Sequence, residues 1–123
     1  MTAVLLWTRD PGARDTIPLV LSRIGQTFVR CDTLAGVVGA VLADTEPTML
    51  VLGPSFTEED ARTIRHTLVE RTRRPVTVVV LEDASDPLPP RLVLTREGDP
   101  IRLRIPVRPR TLREVVDAWR SEL

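Results

Sequence analysis

The sequence predicts an α/β fold in which a five-stranded parallel sheet is covered on both faces by helices. Three observations predict it. Apolar runs of strand length alternate with segments of helical period, the pattern of a sheet wound with crossover helices. The third and fourth runs, residues 49–52 and 76–81, are apolar nearly throughout, as strands buried on both faces must be. Helix boundaries carry caps and charges of the sign the helix dipole favours. With 123 residues the chain is long enough for one sheet-and-helix core and too short for two, so a single domain over 1–123 is expected.

The strands are expected at 3–7, at 27–31 (short), at 49–52, at 76–81 and within 101–107. The first helix starts near Pro11 but contains Pro18, which removes a hydrogen bond and clashes with the preceding turn. A kink there, or a helix that begins only around Ile17, is expected. The second, roughly 33–43, places Leu34, Val37, Val38, Val41 and Leu42 on one stripe. Its Gly36 and Gly39 each cost on the order of 1 kcal/mol against alanine, so packing must hold it. In the third helix Thr57 provides a hydroxyl cap, Glu58, Glu59 and Asp60 follow, and Arg71, Arg73 and Arg74 lie near the end. The last helix opens with Thr111 and has Glu114 three residues on, the spacing of a capping box. Leu112, Val115, Val116 and Trp119 then recur at helical spacing. Between 82 and 100 the alternation breaks. Pro87, Pro89, Pro90 and Pro100 replace any helical stripe, so the expected fourth helix is short, displaced or absent. A loop is expected, with a hairpin of 91–95 returning as 101–105 as the alternative.

Composition excludes several classes of chemistry. Charge is balanced at 17 basic and 17 acidic residues, so no global field recruits nucleic acid or anionic lipid. Every basic residue is arginine, which removes Schiff-base chemistry and the lysine of a phosphate-binding loop. Cys31 and His66 are single, so neither an internal disulfide nor a cysteine-rich zinc site can form. No apolar stretch approaches the roughly 20 residues of a membrane span, and the start of the chain leads directly into a strand-like run. A cytoplasmic protein without membrane attachment, cofactor or metal is expected.

Ligands of open α/β sheets collect at the carboxyl ends of the strands. The third strand ends on Gly53, which offers no side chain where a reactive one would be sought. Thr8, Arg9 and Asp10 follow the first strand, and Arg108 follows the last. The segment Arg108-Pro109-Arg110-Thr111-Leu112-Arg113-Glu114-Val115 resembles the end of a response-regulator receiver domain, where a Lys-Pro pair after the last strand precedes a capped helix. Pro11 and Gly25 bracket the first helix at receiver spacing, and 25–29 resembles the approach to the second receiver strand. The resemblance covers nearly the whole chain except 82–100 and implies a flavodoxin-like (βα)5 three-layer sandwich.

The same resemblance implies a lost active site. Acidic magnesium ligands of a receiver match Thr8 and Arg9, with Asp10 one place further; the phosphoacceptor aspartate matches Gly53; the Ser/Thr after the fourth strand falls near Val80 or Leu81; the lysine matches Arg108. Phosphoryl transfer to a carboxylate needs a nucleophilic oxygen and a divalent cation. Gly53 supplies neither, and Arg9 repels the metal. Arg9 and Arg108 could clamp a phosphate or carboxylate, but an Asp10–Arg108 ion pair is preferred because no glycine-rich phosphate loop accompanies them. Trp7 is expected to fill the vacated pocket and Trp119 to dock the last helix. Cys31 is expected to be a small buried hydrophobe, His66 a solvated surface residue, and Glu82, Asp83 and Asp86 a solvated acidic strand end.

The leading expectation is a phosphorylation-independent pseudo-receiver, an interaction or dimerisation module for a protein partner or output domain. A sensor of small anions through Arg9 and Arg108 is the alternative, and an enzyme is third because no nucleophile is paired with a base. Receivers signal through the face around the fourth helix, last strand and last helix. The expected interface therefore includes Arg91, Arg102, Arg104, Arg110 and Arg113, arginine being enriched at interfaces.

Overall fold

The computed structural model describes residues 3–43, 48–70, 76–83 and 100–122. Along them run β1 (Ala3–Trp7), α1 (Pro11–Arg23), β2 (Val29–Arg30), α2 (Leu34–Ala43), β3 (Thr48–Leu52), α3 (Glu58–Glu70), β4 (Val76–Glu82), β5 (Ile101–Arg104) and α4 (Pro109–Ser121). The strands form one parallel sheet in the order β2-β1-β3-β4-β5. The expected loop or hairpin at 82–100 lies outside the described residues except for Glu82, Asp83 and Pro100; so do Arg71, Arg73, Arg74, Asp86 and Arg91.

Strand alternation sorts the core into two layers. Val4 and Leu6 of β1, Met49 and Val51 of β3, and Val79 and Leu81 of β4 pack against Ile17 and Leu21 of α1 and Leu112, Val116 and Trp119 of α4. Leu5, Trp7, Leu50, Leu52, Val78 and Val80 pack on the other side against Val37 and Val41 of α2 and Ile64 of α3. The register Leu6↔Val51↔Val79 keeps each row on one face. Apolar residues on both faces of three central strands are why those runs read without alternation. Trp119 docks α4 as expected.

The element boundaries have local physical reasons. Of the two starts expected for α1, the one at Pro11 holds and the one around Ile17 does not: Asp10 caps the helix by accepting the Ala13 N–H at 2.8 Å, and Pro11 occupies the first turn, where a missing N–H costs nothing. The helix continues through Pro18 because Ala13, Ile17 and Leu21 are buried on the sheet. It ends at a left-handed Gly25 (φ 73°), a conformation cheap only for glycine, with the Gln26 N–H returning to the Leu21 carbonyl at 2.9 Å. β2 pairs over only Val29 and Arg30, at the exposed sheet edge, where little side-chain burial rewards a longer ladder. α4 starts at Pro109 with Arg108 as a cap residue that makes no side-chain cap bond. Thr111 therefore lies inside the first turn, and the expected Thr111–Glu114 box does not form. The reciprocal box lies on α3, where Thr57 N–H donates to Asp60 Oδ2 at 2.9 Å and Asp60 N–H to Thr57 Oγ1 at 3.1 Å. Among the described residues no helix is long and apolar enough to cross a membrane.

Candidate functional site

In the order β2-β1-β3-β4-β5 the chain leaves β1 in one direction and β3 in the other, so the crevice of the sheet opens beyond the carboxyl ends of these two strands. Their last pair is Trp7↔Leu52, which makes Thr8 and Gly53 face each other one residue past the strands. The Gly53 N–H extends the ladder to the Trp7 carbonyl at 2.9 Å. Thr8 is buried; its hydroxyl donates to the Pro54 carbonyl at 3.4 Å and accepts the Asp10 N–H at 3.0 Å. A Cβ at position 53 would lie 2.0 Å from Thr8 Oγ1 and 2.1 Å from Thr8 Cβ. Gly53 is thus required by space. The atoms it meets belong to a short β-branched side chain fixed close to its own backbone, which cannot swing aside cheaply.

Arg9 and Asp10 point to different tasks. Asp10 is spent on capping α1. Arg9 reaches across to the start of α3, with Nε 2.6 Å from Asp60 Oδ2 and Nη2 2.8 Å from Oδ1, a bidentate fork on a buried carboxylate. Its guanidinium lies 5.3 Å from the centroid of the Trp7 ring, within cation–π range. Hydrogen bonding from Arg9, supported by Thr57, holds the Asp60 carboxyl below its ordinary range despite burial, and Asp60 in turn raises Arg9. The expected Asp10–Arg108 ion pair is replaced by this Arg9–Asp60 pair. Trp7 does not fill the space beside Gly53; alternation turns it to the α2/α3 side, and Thr8 occupies that space.

Arg108 lies four positions beyond the end of β5, at the start of α4, exposed and without an ion-pair partner among the described residues. The X-Pro pair directly after the last strand is Ile105–Pro106, with a cis peptide bond, and Ile105 packs against the core. Arg108, which the receiver resemblance matches to the lysine, is the cap residue of α4 and does not directly follow β5. Val80 and Leu81 are both buried strand residues. A groove of about 410 Å³ opens between α1 and the segment 105–107, its lining including Asp10, Ala13, Ile17, Asp83, Ile105 and Pro106. No three His, Cys, Asp or Glu side chains among the described residues are grouped so as to hold a metal ion.

The remaining candidates are distributed around the fold. Arg102 pairs with Glu82 at 2.8 Å, both partly buried, so this arginine and the acidic strand end serve the β4–β5 contact. Arg104 and Arg113 are exposed, and Arg110 lies 3.4 Å from Glu114 one turn along α4. His66 is exposed beside Glu70 at 3.0 Å. Cys31 is half-buried rather than buried, because β2 is an edge strand; desolvation and the neighbouring Asp32 push its thiol up, away from a reactive thiolate. Asp60 was not singled out for the site by sequence reasoning. Its one legible signal was its place three residues after the Thr57 cap.

No family model and no curated protein matches the chain. Solved structures do. A CheY-like response regulator receiver domain protein from Methanospirillum hungatei JF-1 is similar with a TM-score of 0.71 at 16% identity, over 98% of this chain and 98% of that one. A response regulator receiver domain protein from Bacillus halodurans C-125 gives 0.69 at 18% identity, over 96% of each chain. The lysine decarboxylase of Francisella novicida gives 0.62 at 15% identity, over 98% of this chain but 17% of the decarboxylase. The chain has the flavodoxin-like, receiver-type fold.

Proposed function

We propose that this chain is a regulatory protein-interaction domain of receiver fold that operates without phosphorylation. The observation that carries the reading is the occupation of the crevice: Thr8 fills the space a side chain at Gly53 would need, Asp10 is committed to the cap of α1, and Asp60 to Arg9 and Thr57. A phosphoryl group would find no nucleophilic oxygen at position 53, and a divalent cation would have to displace a bidentate guanidinium. The anion-sensor reading loses ground for a related reason. Arg9 is engaged with Asp60, and Arg108 is the cap residue of α4, four positions beyond β5. A fold with one site closed keeps its outer faces, so a protein partner, an output domain or a second copy is the binding class that remains.

Incubation with a small phosphodonor and magnesium, followed by intact-mass measurement under mild conditions, tests the reading. The expected result is an unshifted mass. A stoichiometric phosphate adduct on any aspartate would overturn it.

A further inference from the structure

The loops after β1 and β3 are joined directly to each other. Gly53 N–H binds the Trp7 carbonyl, Thr8 Oγ1 binds the Pro54 carbonyl, and Arg9 grips Asp60 from 51 positions away in sequence. Exposed ion pairs contribute little because both partners are solvated and mobile. Here the carboxylate is 4% exposed and already immobilised by the Thr57 cap, so the guanidinium meets a preorganised acceptor. Removing Arg9 would leave a buried carboxylate with no cation and only the cap bond from Thr57. The guanidinium is half-exposed, so water could take its place beside the carboxylate, but the direct tie between the two loops would be lost.

We propose that Arg9 is an internal latch, which holds the β1–α1 and β3–α3 loops in one arrangement without any ligand and so keeps the domain in a single conformational state. The inference rests on the ligand-independent reading above and adds to it the side chain that sets the state. The three linkages act on the same two loops. Thr8 and Gly53 close the crevice sterically; Arg9 closes it electrostatically and also covers Trp7, the last residue of β1.

Amide hydrogen exchange on the full chain, wild type against Arg9→Met and Asp60→Asn, tests the latch. Methionine keeps an apolar stem over Trp7 and removes the charge; asparagine keeps an acceptor for Thr57 and removes the ion pair. Expected for Arg9→Met is exchange at least tenfold faster in 8–10 and 53–58, with the slowest amides of β1 and β3 unchanged. The double variant should be no faster than the faster single, since both remove one interaction. Unchanged exchange in both loops would overturn the latch. So would uniform acceleration through the core, which marks an ordinary contribution to global stability. Should Arg9→Met not fold, Asp60→Asn read on the same loop segments decides by the same two outcomes. A phosphate adduct would sink the functional reading and leave the exchange result standing, so the two can fail separately.

Discussion

Gly53 owes its place to Thr8. Any side chain at position 53 begins with a Cβ some 2 Å from the threonine hydroxyl and Cβ, and relieving the overlap means moving buried backbone. Gly53→Asp is therefore expected to lose about 3 kcal/mol or more of stability in denaturant unfolding, the upper range of overpacking costs, and to gain no phosphorylation. Thr8→Gly in the same chain should recover part of that loss; failure to recover any would place the strain elsewhere. Asp60 makes a second residue-scale prediction. Its folded-state pKa is lowered by Arg9, so it contributes stability above the unfolded carboxyl value of about 3.9, and that contribution is lost as pH falls towards the lower folded value. Thermal melts should show wild type losing more than Asp60→Asn as pH falls from about 5 to 3. Equal slopes would mean that the ion pair is not felt in the folded-to-unfolded balance.

At the scale of elements, end signals proved stronger than interior penalties. α1 runs through Pro18 because Asp10 and Pro11 start it and a buried stripe carries it. The proline penalty, about 3 kcal/mol in a helix interior, is tolerated because three buried side chains hold the helix to the sheet. Pro18→Ala restores a donor and is expected to raise stability by about 1–3 kcal/mol. A loss instead would show that the half-buried ring is itself part of the packing. α4 illustrates the reverse lesson. Thr111 and Glu114 have capping-box spacing, yet Pro109, two residues earlier, starts the helix, because proline's fixed φ suits the first helical position. Spacing alone could not choose between two adjacent start signals.

Across the whole molecule the proposed partner surface includes β5 and the outer face of α4. The arginines there are not equivalent. Arg102 is tied to Glu82, so charge reversal at 102 would set two acids together and weaken the β4–β5 edge. Arg104 and Arg113 are exposed and suit the test. Arg104→Glu with Arg113→Glu should leave the melting temperature close to wild type and weaken self-association or partner capture at least tenfold, read by sedimentation and by binding titration. Unchanged association in the folded double variant would move the interface to another face.

By itself the sequence determined the layered α/β plan, since continuous apolar runs at 49–52 and 76–81 can be buried only between two helical layers. It also determined that the third strand ends on a glycine and that Thr8, Arg9 and Asp10 follow the first. Caps, proline at helix starts and periodicity act within a turn or two, and most of what they control was legible, the start of α4 excepted. Who pairs with whom across the crevice was decided by the tertiary structure alone. Thr8 meets Gly53 because parallel pairing sets Trp7 beside Leu52, and Arg9 chooses Asp60 over solvent because α3 begins beside it with a carboxylate already buried and fixed. Such contacts depend on strand register and helix placement at separations of about fifty residues, which no local pattern encodes.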